Sequence, residues 1–470
     1  MRTDAPTTAG KTPAAELSSL RIARAALSRL IEPGDVLAGA LLAELGPIQS
    51  MELIHSERSP APGLRTQVAL RAEAGGLGPR QRDLDAGLAR WRTRRSQADG
   101  ARDLRAAQRG SGGLLIPEDS LWPEPLDDLG LAAPTALWYR TAGDIGRRLP
   151  ASRHCAALVG SREATDYGRR VSAEMTEDLV RHHVCVISGG AYGIDASVHR
   201  AALRMRRAQA EDHPTAPTLT APTLAVLAGG LDRWYPAGNA ELLGGVMEHG
   251  VLLSELPPGS APTKHRFLQR NRLIAALSAT TVIIEARWRS GAQNTAAHAL
   301  GMDRPVGAVP GSVYSASSAG CHRLLRGTLT QVVTDAADVA ELMAHSPLAG
   351  REARDSARAD REGTPSTSVA PDAALPVLLS TEDLAAGRSG EASAAARQAV
   401  AGAEHRPEDR LSETDRVLAD ALPVRARATA GKLSEVAGLP LPQVLSGLTR
   451  LERGGHAEQL EGRWRKVRKA

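Results

Sequence analysis

The chain has 470 residues, of which 42% are hydrophobic and 24% charged, so it has the composition of a globular protein and not of a disordered one. Its length exceeds what a single hydrophobic core serves, and roughly two to four domains are expected. The net charge of +5 permits a nucleic acid as partner, whereas three scattered cysteines and the lack of a long apolar run argue against disulfides, metal ligation, secretion and membrane insertion. We therefore expect a cytoplasmic protein.

The N-terminal quarter of the chain is predicted to be helical. In residues 16–58 apolar side chains recur at helical spacing, and the pairs Pro33-Gly34 and Gly46-Pro47 interrupt the stripe. Residues 78–112 are rich in arginine and predict further helix. We assign residues 1–115 to a helical N-terminal domain.

Residues 116–345 have a different pattern, in which short apolar runs alternate with helical stretches. The runs are Ala156–Val159, Val184–Ile187, Leu224–Leu227, Val251–Ser254, Thr281–Ile284 and Val306–Val309. Nearly continuous apolar strands separated by helices indicate an α/β fold with a parallel sheet covered on both faces. One interruption, Ala208–Thr223, is rich in Pro, Thr and Ala and predicts a surface insertion.

The last quarter of the chain divides into two parts. Residues 346–408 consist mainly of Ala, Arg, Ser, Glu and Pro with little periodicity, and this composition predicts a disordered linker. Residues 409–470 predict three helices followed by a hairpin that turns near Gly462. This order of elements is typical of a winged-helix domain.

The loops that follow the six predicted strands are the expected ligand site, because open parallel sheets bind ligands beyond the carboxyl ends of their strands. Small residues dominate these loops, and helix N-termini, which attract anions, follow the first three. The loops begin with Gly160-Ser161-Arg162, Ser188-Gly189-Gly190, Gly229-Gly230-Leu231-Asp232, Ser254-Glu255, Glu285-Ala286-Arg287 and Pro310-Gly311-Ser312. One such loop is explained by turn chemistry alone, but six together favour a phosphate-binding surface.

The single phenylalanine, Phe267, follows Lys264 by three residues, in a basic segment that continues through Arg270, Asn271 and Arg272. Cationic side chains can neutralise phosphates, and an aromatic ring can stack with an unpaired base, which contributes about 1–3 kcal/mol per base. The alternative is a basic helix start with Phe267 packed in the core. The segment predicts a site for single-stranded nucleic acid.

The motifs of common enzyme classes are missing from the sequence. It has no Gly-x-Gly-x-x-Gly after the first strand, no P-loop and no Gly-x-Ser-x-Gly elbow. Asp195 could serve as an acid or as a helix cap, and we expect a structural role for His199. We expect Glu255 and Glu285 to orient an arginine of the basic segment. No catalytic residue, cofactor or metal site is predicted.

Taken in order, these motifs resemble the DprA/Smf family of DNA-processing proteins over about residues 120–330. The matching segments are Leu158–Arg162, Tyr167-Gly168, Ser188–Asp195, Gly229–Asp232, Tyr235-Pro236, Asn239, Ser254-Glu255, Pro257, Gly259, Lys264, Phe267, Arg270–Arg272, Glu285-Ala286, Ser290-Gly291 and Pro310-Gly311. The resemblance implies an extended Rossmann domain that forms a homodimer, binds single-stranded DNA and passes it to the RecA recombinase during natural transformation. It also implies an N-terminal domain of sterile-alpha-motif or helix-hairpin-helix type.

The resemblance also implies which residues meet DNA. It implies contacts at Arg162, Lys264 and Phe267, with Arg270–Arg272 nearby. Together with the loop residues, the predicted DNA-binding set is Gly160, Ser161, Arg162, Ser188, Gly189, Gly190, Lys264, Phe267, Arg270, Asn271 and Arg272. The sequence departs from the family at Leu268, where a proline is usual, and at His322, where an asparagine is usual. Two alternatives stay open: a nucleotide-cleaving enzyme related to the lysine-decarboxylase-like phosphoribohydrolases, and a duplex-DNA regulator that acts through residues 409–470.

Overall fold

The computed structural model describes residues 14–212, 221–350, 412–423, 427–437, 439–460 and 462–467. The predicted linker, residues 346–408, lies outside these ranges except for its first five residues. Of the predicted insertion, residues 213–220 also lie outside them. Its first five residues, Ala208–Asp212, form the end of a helix, and its last residue, Thr223, begins a strand. The surface insertion itself remains a prediction.

Five α-helices form the N-terminal part of the chain from residue 14 onward. They are α1 (Ala14–Leu30), α2 (Val36–His55), α3 (Pro62–Ala74), α4 (Leu84–Arg92) and α5 (Gly100–Arg109). Aspartates cap α2, α4 and α5; the Asp35 carboxylate, for example, accepts a hydrogen bond from the Ala38 amide at 3.2 Å. The helices predicted within residues 16–58 are confirmed, whereas α3 was not predicted. Leu27, Leu41 and Trp91 pack at the centre of this unit.

Helix α2 is the one described helix that is long and apolar enough to cross a membrane, judged by length and composition alone. It is not regular, because Gly46 has a φ of 71° and breaks the helix before Pro47. Its Leu37, Leu41 and Ile54 are buried against the other N-terminal helices.

Within the described ranges, nine strands form one large sheet. They are β1 (Gly112–Leu115), β2 (Leu137–Arg140), β3 (Cys155–Val159), β4 (Cys185–Gly189), β5 (Thr223–Leu227), β6 (Val251–Ser254), β7 (Thr280–Ile283), β8 (Val306–Ala308) and β9 (Thr330–Val332). Their order is β1-β2-β6-β5-β4-β3-β7-β8-β9. All neighbours from β6 to β9 are parallel, and β1 and β2 are antiparallel additions at one edge. The predicted α/β fold with six parallel strands is confirmed; β1, β2 and β9 were not predicted.

Helices cover both faces of this sheet. They are α6 (Ile145–Arg148), α7 (Asp166–Arg181), α8 (Ile194–Asp212), α9 (Ala240–His249), α10 (Lys264–Ala276), α11 (Ala292–Gly301), α12 (Ala319–Gly327) and α13 (Ala336–Ala344). Because strand side chains alternate, Leu158 packs with α7 and α8 on one face. Its neighbour Val159 packs with α10 and α11 on the other face. Burial on both faces explains why the strands have few polar residues.

The chain reverses its direction across the sheet between β3 and β7. From β3 the strands proceed outward to β6, and the chain then returns through α10 to place β7 on the other side of β3. Such a switch point opens a crevice at the carboxyl ends of the two central strands. The first and fifth of the predicted loops therefore lie side by side.

The described C-terminal residues contain three helices and a small antiparallel sheet. The helices are Glu413–Ala421, Ala430–Ala437 and Leu441–Arg453, and the strands are β10 (Ala428–Thr429), β11 (Ala457–Leu460) and β12 (Arg463–Lys466). The predicted helices and hairpin are present, and the hairpin turns at Gly462, whose φ is 72°. Assignment of this unit to the winged-helix class remains a prediction.

Candidate nucleic-acid interface

Helix α10 begins with Lys264 because Thr263 caps it. The Thr263 hydroxyl accepts a hydrogen bond from the Arg266 amide at 3.2 Å, which satisfies one of the free donors of the first turn. Lys264 is exposed on this first turn, and Phe267 lies one turn further on. The end of the helix, from Leu273 to Ala276, is buried against the sheet and fixes the orientation of the basic start.

Phe267 is half-buried and is surrounded by cations and another ring. The guanidinium carbon of Arg162 lies 4.9 Å from its ring centroid, and that of Arg270 lies 5.8 Å from it. The ring of Tyr235 lies at a centroid distance of 5.8 Å and is inclined by 59°. We call Arg162, Tyr235, Phe267 and Arg270 the ring cluster. Among the described residues, Phe267 belongs to none of the hydrophobic core clusters. Its position therefore favours the binding interpretation over packing in the core.

Arg270 forms the base of the ring cluster. It is buried, and its guanidinium donates a hydrogen bond to the Val226 carbonyl at the end of β5. Burial lowers the pKa of Arg270 to about 10, an effect that the nearby Asp195 carboxylate opposes. Burial also raises the pKa of Asp195, and here Arg270 opposes the shift. At neutral pH the arginine is charged, so the cluster rests on a fixed positive charge.

The glycines of the first two loops are needed because other groups occupy the space around them. A Cβ on Gly189 would collide with the Arg270 guanidinium and would lie 2.5 Å from an Asp195 carboxylate oxygen. A Cβ on Gly160 would lie 2.6 Å from the Ile194 side chain, and one on Gly190 would lie 2.7 Å from that of Leu227. These glycines allow Arg270 and the β3 and β4 loops to approach each other closely.

The serines of these loops make internal hydrogen bonds. Ser188 is fully buried, and its hydroxyl donates to the Leu158 carbonyl at 2.7 Å, which ties β4 to β3. The Ser161 amide donates to the Glu285 carbonyl at 2.8 Å, across the switch-point crevice. Fewer backbone amides are therefore free to bind phosphate than the loop composition suggested, because some of them donate hydrogen bonds to a neighbouring loop.

Asn271 and Arg272 point away from the ring cluster. Arg272 is 2% exposed and makes two hydrogen bonds of 2.7 Å to the Glu255 carboxylate. Asn271 is buried, and its amide donates to the Gly291 carbonyl at 3.1 Å. The expected orientation of an arginine by Glu255 is confirmed. The same expectation for Glu285 was wrong, because Glu285 accepts hydrogen bonds from the Thr165 amide and hydroxyl.

His199 is a structural residue, as the sequence predicted. It is fully buried, its Nε2 lies 2.7 Å from the Gly189 carbonyl, and its Nδ1 lies 2.8 Å from the Thr223 hydroxyl. A carbonyl only accepts hydrogen bonds, so Nε2 carries the proton. Burial lowers the pKa of His199 to about 4, so the ring is neutral at physiological pH.

Tyr235 is not among the residues predicted to bind DNA, although it lies beside Phe267 and is 53% exposed. Its position could have indicated a role in the site, because it follows the Gly229–Asp232 loop closely and tyrosine is rare in this chain, with five in all. Within the described ranges, no group of three or more His, Cys, Asp or Glu side chains is arranged to hold a metal ion. The arrangement can bind phosphates and stack a base.

A profile of the family described as DNA recombination-mediator protein A matches residues 113–344. A Mycobacterium tuberculosis protein, provisionally named DNA processing protein DprA, is 36% identical over 453 residues, covering 94% of this chain and 93% of the relative. The DNA processing protein DprA of Streptococcus pneumoniae is 33% identical over 221 residues, covering 47% of this chain and 71% of the relative.

Two solved structures are also similar to this chain. The X-ray structure of DNA processing protein A from Streptococcus pneumoniae has a TM-score of 0.48 and 26% identity, covering 71% of this chain and 98% of that one. A structure of DNA processing protein A from Helicobacter pylori, whose title concerns its single-stranded DNA binding mode, has a TM-score of 0.41 and 23% identity. It covers 50% of this chain and 97% of that one.

Proposed function

The chain belongs to the DprA/Smf family of DNA-processing proteins, and from this membership we propose that it binds single-stranded DNA at the ring cluster and transfers it to the RecA recombinase. The observation that carries the proposal is the half-buried Phe267 ring between Arg162 and Arg270 at the carboxyl edge of a parallel sheet. This combination of charge and aromatic surface is the one that unpaired strands require.

The residues have separate tasks in this proposal. Arg162 and Lys264 neutralise phosphates, and the N-terminus of α10 adds its partial positive charge next to Lys264. Phe267 and Tyr235 offer aromatic surface to a base. Close packing of the β3 and β4 loops depends on Gly160, Ser161, Ser188, Gly189 and Gly190. The position of α10 is fixed by the hydrogen bonds of Asn271 and Arg272. The family comprises DNA-binding proteins and not enzymes, so no residue is assigned a catalytic role.

We also propose the domain division 1–115, 116–345, 346–408 and 409–470, with the last part a winged-helix-like unit. One hydrogen bond is relevant to its independence: Arg94 of the N-terminal helices donates to the Val436 carbonyl at 3.1 Å. The C-terminal helix Glu413–Ala421 also lies against α10. Contacts of this limited extent are compatible with a separable unit.

The proposed homodimer uses the β9 end of the sheet. β9 is an edge strand, and the apolar side chains of Leu329, just before it, and Val332, within it, are 90% and 55% exposed. Clustered apolar exposure beside an unpaired strand edge favours association with a second copy.

The central experiment compares binding of one oligonucleotide as a single strand and as a blunt duplex, each at two salt concentrations. We expect the single strand to bind more tightly, with an affinity that falls steeply with salt by a slope of about 0.7 per phosphate contact. Transfer to RecA is tested by filament assembly on a strand coated with a single-strand binding protein. Equal affinity for both forms of DNA would reject the single-strand proposal, whatever the RecA assay gives.

A further inference from the structure

A second aromatic and basic cluster lies on the loop after β7. The Trp288 side chain there is 47% exposed, and the guanidinium carbon of Arg323 lies 5.1 Å from the centroid of its ring. Arg287, on the same loop, is also exposed. The proposed function does not use these residues.

Trp288 is unlike the other five tryptophans of the chain, all of which the structure describes. Four of them are at most 6% exposed, and Trp234 is half-buried. The loop that presents Trp288 is held by side-chain hydrogen bonds, because Gln293 donates to the carbonyls of Arg287 and Trp288 at 2.9 and 2.8 Å. A large exposed ring on a well-bonded loop is expected where the ring meets a partner.

The loop is connected to the ring cluster across the switch-point crevice. The Arg287 guanidinium forms an ion pair of 2.6 Å with Glu163, the residue that follows Arg162. β3 and β7 are hydrogen-bonded neighbours, and adjacent strands lie about 4.8 Å apart. A single strand that passes Arg162 on the β3 loop is therefore about one strand spacing from the loop that carries Trp288.

We propose that Trp288 and Arg323 form a second stacking subsite for the same single strand. An unpaired base stacks on the indole, and Arg323 and Arg287 neutralise the adjacent phosphates. The inference rests on the proposed function, because it extends the path of a strand that the ring cluster holds. It predicts that strands long enough to cross the crevice bind more tightly than strands that fill the ring cluster alone.

The test uses the full chain and oligothymidylates of about 4 and about 20 nucleotides, with binding followed by anisotropy of labelled DNA. Trp288→Ala is expected to lower the affinity for the long strand by about 5- to 150-fold, which corresponds to about 1–3 kcal/mol for one stacked base. Affinity for the short strand is expected to change little. Arg323→Ala should lower the long-strand affinity and reduce its salt slope.

Tryptophan fluorescence provides a second readout. The long strand should quench the emission of the unchanged protein, since Trp288 is the most exposed tryptophan. Trp288→Phe should remove this quenching and keep most of the affinity, while Trp234→Phe is the matched control that keeps the quenching.

The outcomes separate the two proposals. Normal long-strand binding by a folded Trp288→Ala protein, with quenching retained in Trp288→Phe, overturns the second subsite and leaves the ring cluster standing. Failure of the unchanged protein to bind either strand overturns the proposed function itself. A change in oligomeric state with unaltered DNA binding would assign Trp288 to an interface between copies and also overturn the subsite.

Discussion

At the scale of single residues, the basic segment around Phe267 divides into two groups with different tasks. Successive residues of an α-helix are separated by about 100°, so adjacent cations face different directions. Phe267 and Arg270 share the face toward Arg162, whereas Arg266 pairs with Glu32 at 2.7 Å and Arg272 pairs with Glu255. Some cations of this basic segment therefore face the ring cluster, whereas others form ion pairs that hold the fold together.

Phe267→Ala is predicted to reduce single-strand affinity by about 1–3 kcal/mol, in parallel at low and high salt, because stacking depends little on ionic screening. Phe267→Trp should largely preserve affinity. Binding at two salt concentrations and a thermal melt distinguish this from a core role, in which truncation lowers stability by about 3–5 kcal/mol. A destabilised Phe267→Ala protein that binds normally once folded would contradict the stacking role.

Arg162→Ala is predicted to change DNA binding, whereas Arg272→Ala is predicted to change the stability of the fold. Arg162 is exposed, so its removal should reduce the salt slope by about 0.7 and leave the melting temperature nearly unchanged. Removal of Arg272 leaves the Glu255 carboxylate buried without its partner, which typically lowers stability by about 3–5 kcal/mol. Salt titrations and denaturant unfolding of both variants provide the comparison. Lys264→Ala should behave like Arg162→Ala, and a large loss of stability there would return Lys264 to a structural role.

At the scale of elements, His199 joins three parts of the sheet layer. It lies on α8, contacts the Gly189 carbonyl at the end of β4, and contacts the Thr223 hydroxyl at the start of β5. The same Gly189 lies against Arg270 of α10. The position of the ring cluster thus depends on how α8 and α10 pack against neighbouring strands.

His199 is predicted to make stability depend on pH. Its pKa is about 4 in the folded protein, against an ordinary value of 6.5, so between these values the unfolded chain binds a proton that the folded chain does not. The stability that His199 contributes is present above pH 6.5 and is lost as the pH falls toward 4, by about 3 kcal/mol in total. This contribution is measured by urea unfolding of the wild type and of His199→Gln at about pH 7 and about pH 4.5, which gives the free energy of unfolding of each protein. The stability gap between the two proteins should narrow at the lower pH; a constant gap would exclude this titration.

At the scale of the whole molecule, the two ends of the nine-stranded sheet differ. The β1 and β2 end is joined to the N-terminal helices, where Trp138 of β2 donates a hydrogen bond to Ser28 of α1 at 3.1 Å. The β9 end exposes Leu329 and Val332. One edge is therefore occupied by the chain itself, and the other is available to a second copy.

Leu329→Arg is predicted to convert the proposed dimer to a monomer, because a charge at the centre of an apolar contact must be desolvated without a partner. Leu70→Arg is the control: Leu70 is 61% exposed on α3, away from β9, and its replacement should leave the mass unchanged. Light scattering after size exclusion measures both. If Leu329→Arg retains the dimer mass, the interface lies elsewhere.

Deletion of residues 351–470 is predicted to leave single-strand binding within a few-fold of the full chain, because the ring cluster lies wholly within residues 162–270. The cut follows Gly350 because Leu348 is only 3% exposed and belongs to the core. Complete loss of single-strand binding by the folded truncation would move the function to the C-terminal unit and favour the duplex-regulator alternative.

The sequence by itself determined the parallel sheet, the order of its six central strands along the chain, and the loops that contain the candidate site. It could do so because two-sided burial leaves continuous apolar runs, and because carboxyl-end loops of parallel strands meet at one edge. The short strands β1 and β9 escaped prediction, since edge strands of three or four residues leave almost no periodic signal.

Only the tertiary structure decided which cations face the site. Arg162 and Arg270 are 108 positions apart, and their common contact with Phe267 depends on α10 crossing the ends of β4 and β5. From the local sequence one can see that Arg270 and Arg272 are both basic. One cannot see that Arg270 lies against the Phe267 ring and that Arg272 pairs with Glu255. That difference arises from long-range packing, because Arg270 bonds to Val226 of β5 and Arg272 bonds to Glu255, which follows β6.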